Sequence, residues 1–237
     1  MTAAASPGPK TLTIDIGGTG LKAGVLDAAA NLVGERVRVD TPYPCSPQVM
    51  LDALLALVRP LQGYARVSVG WPGVVRNGKV VTAPHYGTEL WAGYDLASAL
   101  SQALGAPVRL LNDADLQGLG AIEGKGVELV VTLGTGVGTA LFEDGRLLPH
   151  LELAHHQVWK GKTYNEYVGD KARKKLDKSR WNRRVARVVE TLRALIHPDR
   201  IHIGGGNAKR VTFDLAPDTR LVDNTAALQG GVVVWSK

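Results

Sequence analysis

A chain of 237 residues, 45% hydrophobic and 21% charged, is long enough to bury a sizeable core in one large domain or two small ones. No apolar run approaches the roughly 18 residues of a membrane span, and the opening MTAAASPGPK lacks an apolar signal core, so residues 1–10 are expected to be a disordered tail on a cytoplasmic protein. The net charge of +6 suits a polyanionic partner, whereas a single cysteine, Cys45, excludes an internal disulfide and a cysteine-built zinc site.

The first ordered stretch is Thr11 to Asp27, TLTIDIGGTGLKAGVLD. Leu12, Ile14 and Ile16 alternate with Thr13 and Asp15, the pattern of a strand with one buried face that carries Asp15 to its end. Gly17 and Gly18 lack the Cβ that would keep a phosphate from backbone N–H groups, and Thr19 adds a hydroxyl donor. Leu21 to Leu26 is short and β-compatible, which predicts a hairpin and not the helix of a dinucleotide fold or P-loop. Asp40, spaced like a ribose-binding acid, loses that reading for the same reason.

Val33 to Asp40 reads as a third strand, broken by Pro42 and Pro44. Ser46-Pro47 opens a helix whose apolar face is expected at Leu51, Leu54, Leu55 and Val58. Arg66 to Gly70 is a strand, and Val74 to Val81 a hairpin around Asn77-Gly78. His85, Tyr86 and Trp91 then stand in a loop that is either pinned by one buried Trp or presents an aromatic wall to a sugar. Asp95 caps a helix that Gly105 ends.

Val108 to Leu111 delivers Asn112-Asp113 at a strand's carboxyl end, where open α/β sheets place ligand chemistry; the same pair could cap the following helix. Asp115 is read as structural. Val130 to Gly145, VVTLGTGVGTALFEDG, repeats the first hairpin about one domain length later. A gapless superposition puts Asp15 on Thr132, Gly17 on Gly134, Ala23 on Ala140 and Asp27 on Asp144. Gly134, Thr135 and Gly136 thus form a second candidate phosphate loop. Duplication predicts an α/β protein of two related lobes with mixed sheets, 11–113 and 114–237, and an active-site cleft between them.

Glu152 and His155 supply the donor and acceptor types that adjacent sugar hydroxyls need, and the pair His155-His156 has no third metal ligand at a familiar spacing. Thr163 and Glu166 form a capping box for a helix to about Leu176. A second helix, Arg180 to Ile196, carries Trp181, Val185, Val188, Val189, Leu192 and Ile196 on one stripe. Lys and Arg crowd the segment from Lys160 to Arg187 with few acids among them. Arg200 to Ile203 ends in Gly204, Gly205 and Gly206, a nucleotide-side loop or a ligand-free turn. A strand near Leu221 and a helix from Thr225 close the chain.

DIGGTG, LNDAD and TLGTGVGTA, in this order, resemble the ROK family of sugar kinases and sugar-responsive proteins, within the actin-like (ribonuclease H-like) ATPase superfamily. The likeness is strongest toward polyphosphate glucokinases and runs from Leu12 to about Gly231. It implies a kinase that moves a phosphoryl group from inorganic polyphosphate or ATP to the 6-hydroxyl of glucose. By the same resemblance Asp113 is the general base, and Asn112, Glu152 and His155 hold the sugar. Gly17, Gly18, Thr19, Lys22, Gly134, Thr135, Gly136, Gly204, Gly205 and Gly206 hold phosphates, and Asp15 holds Mg2+ directly or through water. Ala154 stands where these kinases usually have Gly, and their three-cysteine zinc motif is missing, so zinc is not expected. Alternatives are an ATP-only ROK kinase, a non-catalytic sugar-binding regulator, and a DNA-binding repressor. The last would need a helix-turn-helix reader ahead of the first hairpin, where this sequence has about ten residues. The expected partners are therefore a hexose, polyphosphate or nucleotide, and a second copy of the chain, with no membrane and no specific nucleic acid. The basic segment is read as a track for polyphosphate, preferred over ATP.

Overall fold

The computed structural model describes residues 8–223 and 225–236, so most of the expected N-terminal tail, residues 1–7, lies outside the described residues. The chain forms two compact units, Met1–Leu116 with Ala227–Lys237, and Gln117–Ala226.

The first unit follows the order β1 (Thr11–Ile16), β2 (Leu21–Leu26), β3 (Leu32–Val39), α1 (Pro47–Val58), β4 (Arg66–Trp71), β5 (Val75–Arg76), β6 (Lys79–Val80), α2 (Thr88–Trp91), α3 (Leu96–Leu104) and β7 (Val108–Asn112). Helix α4 (Asp113–Leu119) then leads out of it. Its sheet has the order β3-β2-β1-β4-β7, antiparallel through the first three strands and parallel from β1 to β7. Both parallel steps bring strand carboxyl ends to the same edge, which places Asp15 beside Gly70 and Gly70 beside Leu111.

Strand β1 is buried on both faces, not one: Thr11 and Thr13 are as enclosed as Leu12 and Ile14. The reason lies at the far end of the chain. Ser68 Oγ donates to the Gly231 carbonyl and accepts from Trp235 Nε1, while the guanidinium groups of Arg66 and Arg109 lie over the Trp235 ring. A Cβ at Gly231 would collide with Thr13, so glycine there lets the C-terminal helix Ala226–Val233 seat on the sheet. Residues 227–237 therefore join the first unit, where the sequence-based division had assigned them to the second.

In α1, Pro47 follows the Ser46 cap as expected, but the buried stripe is Met50, Leu54, Leu57 and Val58 in place of the predicted Leu51 and Leu55. Positions i, i+4, i+7 and i+8 make a narrower face than the leucine count suggested. Asn77 and Gly78, both at positive φ, turn β5 into β6, and Gly105 at φ 64° ends α3.

The second unit runs β8 (Val127–Leu133), β9 (Val137–Glu143), β10 (Arg146–Leu147), β11 (Gln157–Trp159), β12 (Lys162–Thr163), α5 (Tyr164–Val168), α6 (Asp170–Lys174), α7 (Lys178–Ile196), β13 (Arg200–Gly204) and β14 (Thr219–Leu221). Its sheet order, β10-β9-β8-β13-β14, repeats the first: three antiparallel strands, then two parallel steps. The gapless superposition of the two hairpins needs one correction. Ile16 pairs with Leu21 across a four-residue turn, whereas Leu133 pairs with Val137 across three. Beyond the glycines the repeat slips by one residue, so Ala23 corresponds in register to Thr139 and not to Ala140.

The helix expected from Thr163 to about Leu176 is broken at Gly169, whose ψ of 171° is extended. The break directs the Asp170 N–H to the Thr135 carbonyl. Helix α7 buries Trp181, Val185, Val188, Val189 and Leu192 as predicted, together with Asn182, whose amide clamps Lys178, Arg210 and Thr212; Ile196 is only half-buried.

Candidate active site

In the first unit the glycine turn is held rigidly by groups that the motif does not contain. Gly17 and Gly20 exchange backbone hydrogen bonds. The Gly17 carbonyl accepts from Thr41 Oγ1 (2.6 Å) and Tyr86 Oη (3.0 Å), and the Gly18 carbonyl from Tyr43 Oη (2.7 Å). Thr41 and Tyr43 escaped sequence reasoning because they lie in a loop without periodicity, while Tyr86, read as part of a loop that could present an aromatic wall to a sugar, spends its hydroxyl on the glycine turn. Thr19 is exposed at the tip. A Cβ at Gly18 would sit 3.3 Å from the His85 ring, so this exposed imidazole covers the turn.

Asp15 closes the strand beside the turn, with Oδ2 2.9 Å from Lys22 Nζ across the hairpin. Its Oδ1 takes no donor from the described residues. Among those residues no group of three or more His, Cys, Asp or Glu could hold a metal by itself. One carboxylate with a free oxygen beside a glycine turn nonetheless fits Mg2+, which keeps several waters and shares substrate phosphates.

Asn112 and Asp113 divide the two roles left open for them. The Asn112 side chain is buried and committed: Oδ1 accepts from the Ala114 and Asp115 N–H groups, and Nδ2 donates to the Gly73 carbonyl. It caps α4, and this cap aims Asp113. Asp113 is half-buried at the first helical position, with Gly70 against its backbone: a Cβ there would stand 3.4 Å from Asp113 Cα. Burial pushes the Tyr86 phenol far above its usual range, and the nearby Asp113 and Asp15 carboxylates add to the effect. Trp91 is fully enclosed against Trp71, at 4.6 Å between ring centroids, so it pins its loop and offers no face to a sugar.

In the second unit the two glycine loops are stitched together. Gly134 N–H donates to the Gly136 carbonyl, and Asn207 Nδ2 to the Gly134 carbonyl at 3.2 Å. Asn165 Oδ1 accepts from Val137 N–H and fills the space that a Cβ at Gly136 would need. Packing also explains Gly204, which admits the Gln117 amide, and Gly205, at φ 85° against the Leu133 backbone. Gly134 and Gly206 are different: a Cβ on either meets nothing within 4 Å. Asp170, which holds the Thr135 carbonyl through its N–H, has its carboxyl held down at about 2 by hydrogen bonds from Lys174 and Arg173.

Glu152 lies just before a 3-10 turn, Leu153–His155, that the Thr139 hydroxyl anchors through the Leu151 carbonyl. His155 is exposed on that turn, and His150 Nε2 lies 3.4 Å from Glu152 Oε1. His150 was not singled out from the sequence, where it follows a proline outside the motif. Ala154 has ordinary helical backbone with its methyl group buried, so the missing glycine causes no strain.

A family model described as the ROK family matches residues 11–151. The polyphosphate glucokinase of Mycobacterium tuberculosis (strain H37Rv) is 32% identical over 207 residues, which covers 83% of this chain and 77% of that protein. Among solved structures, the inorganic polyphosphate/ATP-glucomannokinase from Arthrobacter sp. strain KM has a TM-score of 0.86 at 31% identity, over 97% of this chain and all of that one. A ROK family glucokinase from Streptomyces griseus, in complex with glucose and AMPPNP, has a TM-score of 0.79 at 20% identity over 95% of this chain and 98% of that one, a likeness of fold alone. With two glycine-turn hairpins on one repeated sheet plan and a match over most of its length, the chain belongs to the ROK family.

Proposed function

We propose that this protein is a hexose kinase that transfers a phosphoryl group from inorganic polyphosphate or ATP to the 6-hydroxyl of glucose. The likeness to two polyphosphate-using sugar kinases across most of the chain carries this reading, together with the retention of Asp113 on a capped strand end.

Phosphoryl transfer demands positioning and charge neutralisation more than covalent chemistry by the protein. Asp113 takes the proton as the sugar oxygen attacks phosphorus and the bond to the donor's bridging oxygen breaks. Glu152 and His155 hold sugar hydroxyls, with His150 orienting Glu152. Asn112 acts by fixing Asp113 and has one amide hydrogen left for the sugar. Gly17 to Thr19, Gly134 to Gly136 and Gly206 present N–H groups to the donor, and Lys22 adds charge. Asp15 would hold Mg2+, directly or through water, and the ion would supply neutralisation of the donor's charge.

No helix among the described residues is long and apolar enough to cross a membrane. The same proposal takes the enzyme as a cytoplasmic homodimer that needs neither zinc nor specific nucleic acid. A coupled assay of glucose and mannose against ATP and polyphosphate in the presence of Mg2+ tests it. Glucose 6-phosphate formation from polyphosphate is expected, and no phosphorylation from either donor would refute the reading.

A further inference from the structure

A pocket of about 420 Å3 opens in the second unit between α6, the start of α7 and the turn after β13, lined by Arg173, Leu176, Lys178, Trp181, Lys209 and Arg210. Four of these six residues are cations. Arg173 is balanced by Asp170, but Lys178, Lys209 and Arg210 are exposed and pair with no carboxylate among the described residues. The 19-residue α7 begins here with Lys178 and has no acidic residue in its first turn. The N-cap carboxylate, Asp177, accepts from Arg180 N–H and pairs with the Arg180 guanidinium, so the acid at the positive end of the helix dipole is engaged by Arg180 and not by Lys178, Lys209 or Arg210. Such a concentration of cations repels itself until an anion is supplied.

Both walls of the pocket begin at the second glycine loop. Asp170 N–H holds the Thr135 carbonyl, and α6 carries the chain from there to Arg173. Asn207 holds the Gly134 carbonyl, and Lys209 and Arg210 follow in the next turn. A donor with its terminal group on Gly134 to Gly136 therefore lies beside the two segments, Asp170 to Lys178 and Asn207 to Arg210, that carry these cations. A nucleobase finds little there. The ring of Trp181 is only 1% exposed and hydrogen-bonds to Val168, which leaves Leu176 as the apolar surface. A polyphosphate chain bears charge on every unit and matches cations spaced along a groove.

We propose that this pocket is a distal subsite for inorganic polyphosphate, which holds the units behind the phosphoryl group at Gly134 to Gly136 and favours the polymer over a nucleotide. The proposal rests on the donor reading above and assigns to Lys178, Lys209 and Arg210 a role in donor choice.

The test compares wild type with Lys178→Gln/Lys209→Gln/Arg210→Gln. Calorimetric binding of long-chain polyphosphate and of tripolyphosphate is measured over a range of salt, beside KM for long-chain polyphosphate, ATP and glucose. Affinity for the long chain is expected to fall about tenfold or more with a shallower salt dependence, while tripolyphosphate, ATP and glucose change less than about threefold. Unchanged long-chain binding, or an equal loss for ATP, overturns the subsite. A wild type that transfers only from ATP yet binds long chains through these residues refutes the donor reading and leaves the subsite standing. Lys209→Gln/Arg210→Gln, which spares the start of α7, gives the same discrimination should the triple variant lose stability.

Discussion

Lys22 Nζ lies 2.9 Å from Asp15 Oδ2, directly across the first hairpin, so one lysine both orients the candidate metal carboxylate and adds positive charge beside the glycine turn. If the two act as a unit, Asp15→Asn and Lys22→Met each lower kcat by roughly 10²-fold, and the double variant loses much less than the product. Full additivity in steady-state kinetics would show that Lys22 works independently of Asp15.

Asp113→Asn keeps the Asn112 cap and the fold but removes the proton acceptor. Turnover is expected to fall by roughly 10²- to 10⁴-fold with hexose affinity nearly intact. Unchanged kcat would take Asp113 out of the mechanism.

For the sugar, Glu152→Gln and His155→Ala are expected to raise the glucose KM roughly 10-fold or more with a small effect on donor KM, because each leaves sugar hydroxyls without a partner. His150→Phe should act in the same direction as Glu152→Gln, since His150 touches Glu152. If donor and sugar affinities fall together, the hexose assignment of this turn fails.

The glycines divide by cause. Gly205→Ala forces a side chain to φ 85° and puts a Cβ 2.5 Å from the Leu133 carbonyl, so a destabilisation of at least about 2 kcal/mol is expected in denaturant titrations. Gly206→Ala meets nothing within 4 Å and should leave stability unchanged while raising donor KM. A stable Gly206→Ala enzyme with wild-type donor kinetics would exclude Gly206 from phosphate binding.

A buried network predicts the acid sensitivity of the second unit. His202 Nε2 lies 2.6 Å from Glu128 Oε2, its Nδ1 accepts from Arg220 Nε, and Glu128 also accepts the N–H groups of Glu123, Gly124 and Lys125. An imidazole that accepts from arginine cannot hold a second proton, and burial keeps His202 below its ordinary range despite the glutamate. The unfolded chain takes up that proton first. The contribution of His202 is therefore complete above about pH 6.5 and declines as pH falls below it. The melting temperature should drop between about pH 7.5 and 5.5, and His202→Gln should flatten that slope. An equal slope in the variant would assign the sensitivity to other groups.

Much of this protein was legible because its signals are local. The capping box of Thr163 and Glu166, the Asn77-Gly78 turn and the stripe of α7 act within a few residues and appear where the sequence places them. Gly169 was missed for the opposite reason: the partner that makes a break there useful, the Thr135 carbonyl, is far away in the chain.

By itself the sequence determined the element order, the two glycine-turn hairpins and the motifs that carry family membership, because backbone propensity and side-chain period are properties of neighbouring residues. Only the tertiary structure decided that the C-terminal helix closes the first sheet, that Thr41, Tyr43 and Tyr86 hold the first loop, and that Gly204 and Gly205 serve packing while Gly206 stands open. It also gathered Lys178, Lys209 and Arg210 around one pocket from two separate segments. Long-range hydrogen bonds, steric exclusion and the summation of charge depend on distances through space, and no sequence period records them.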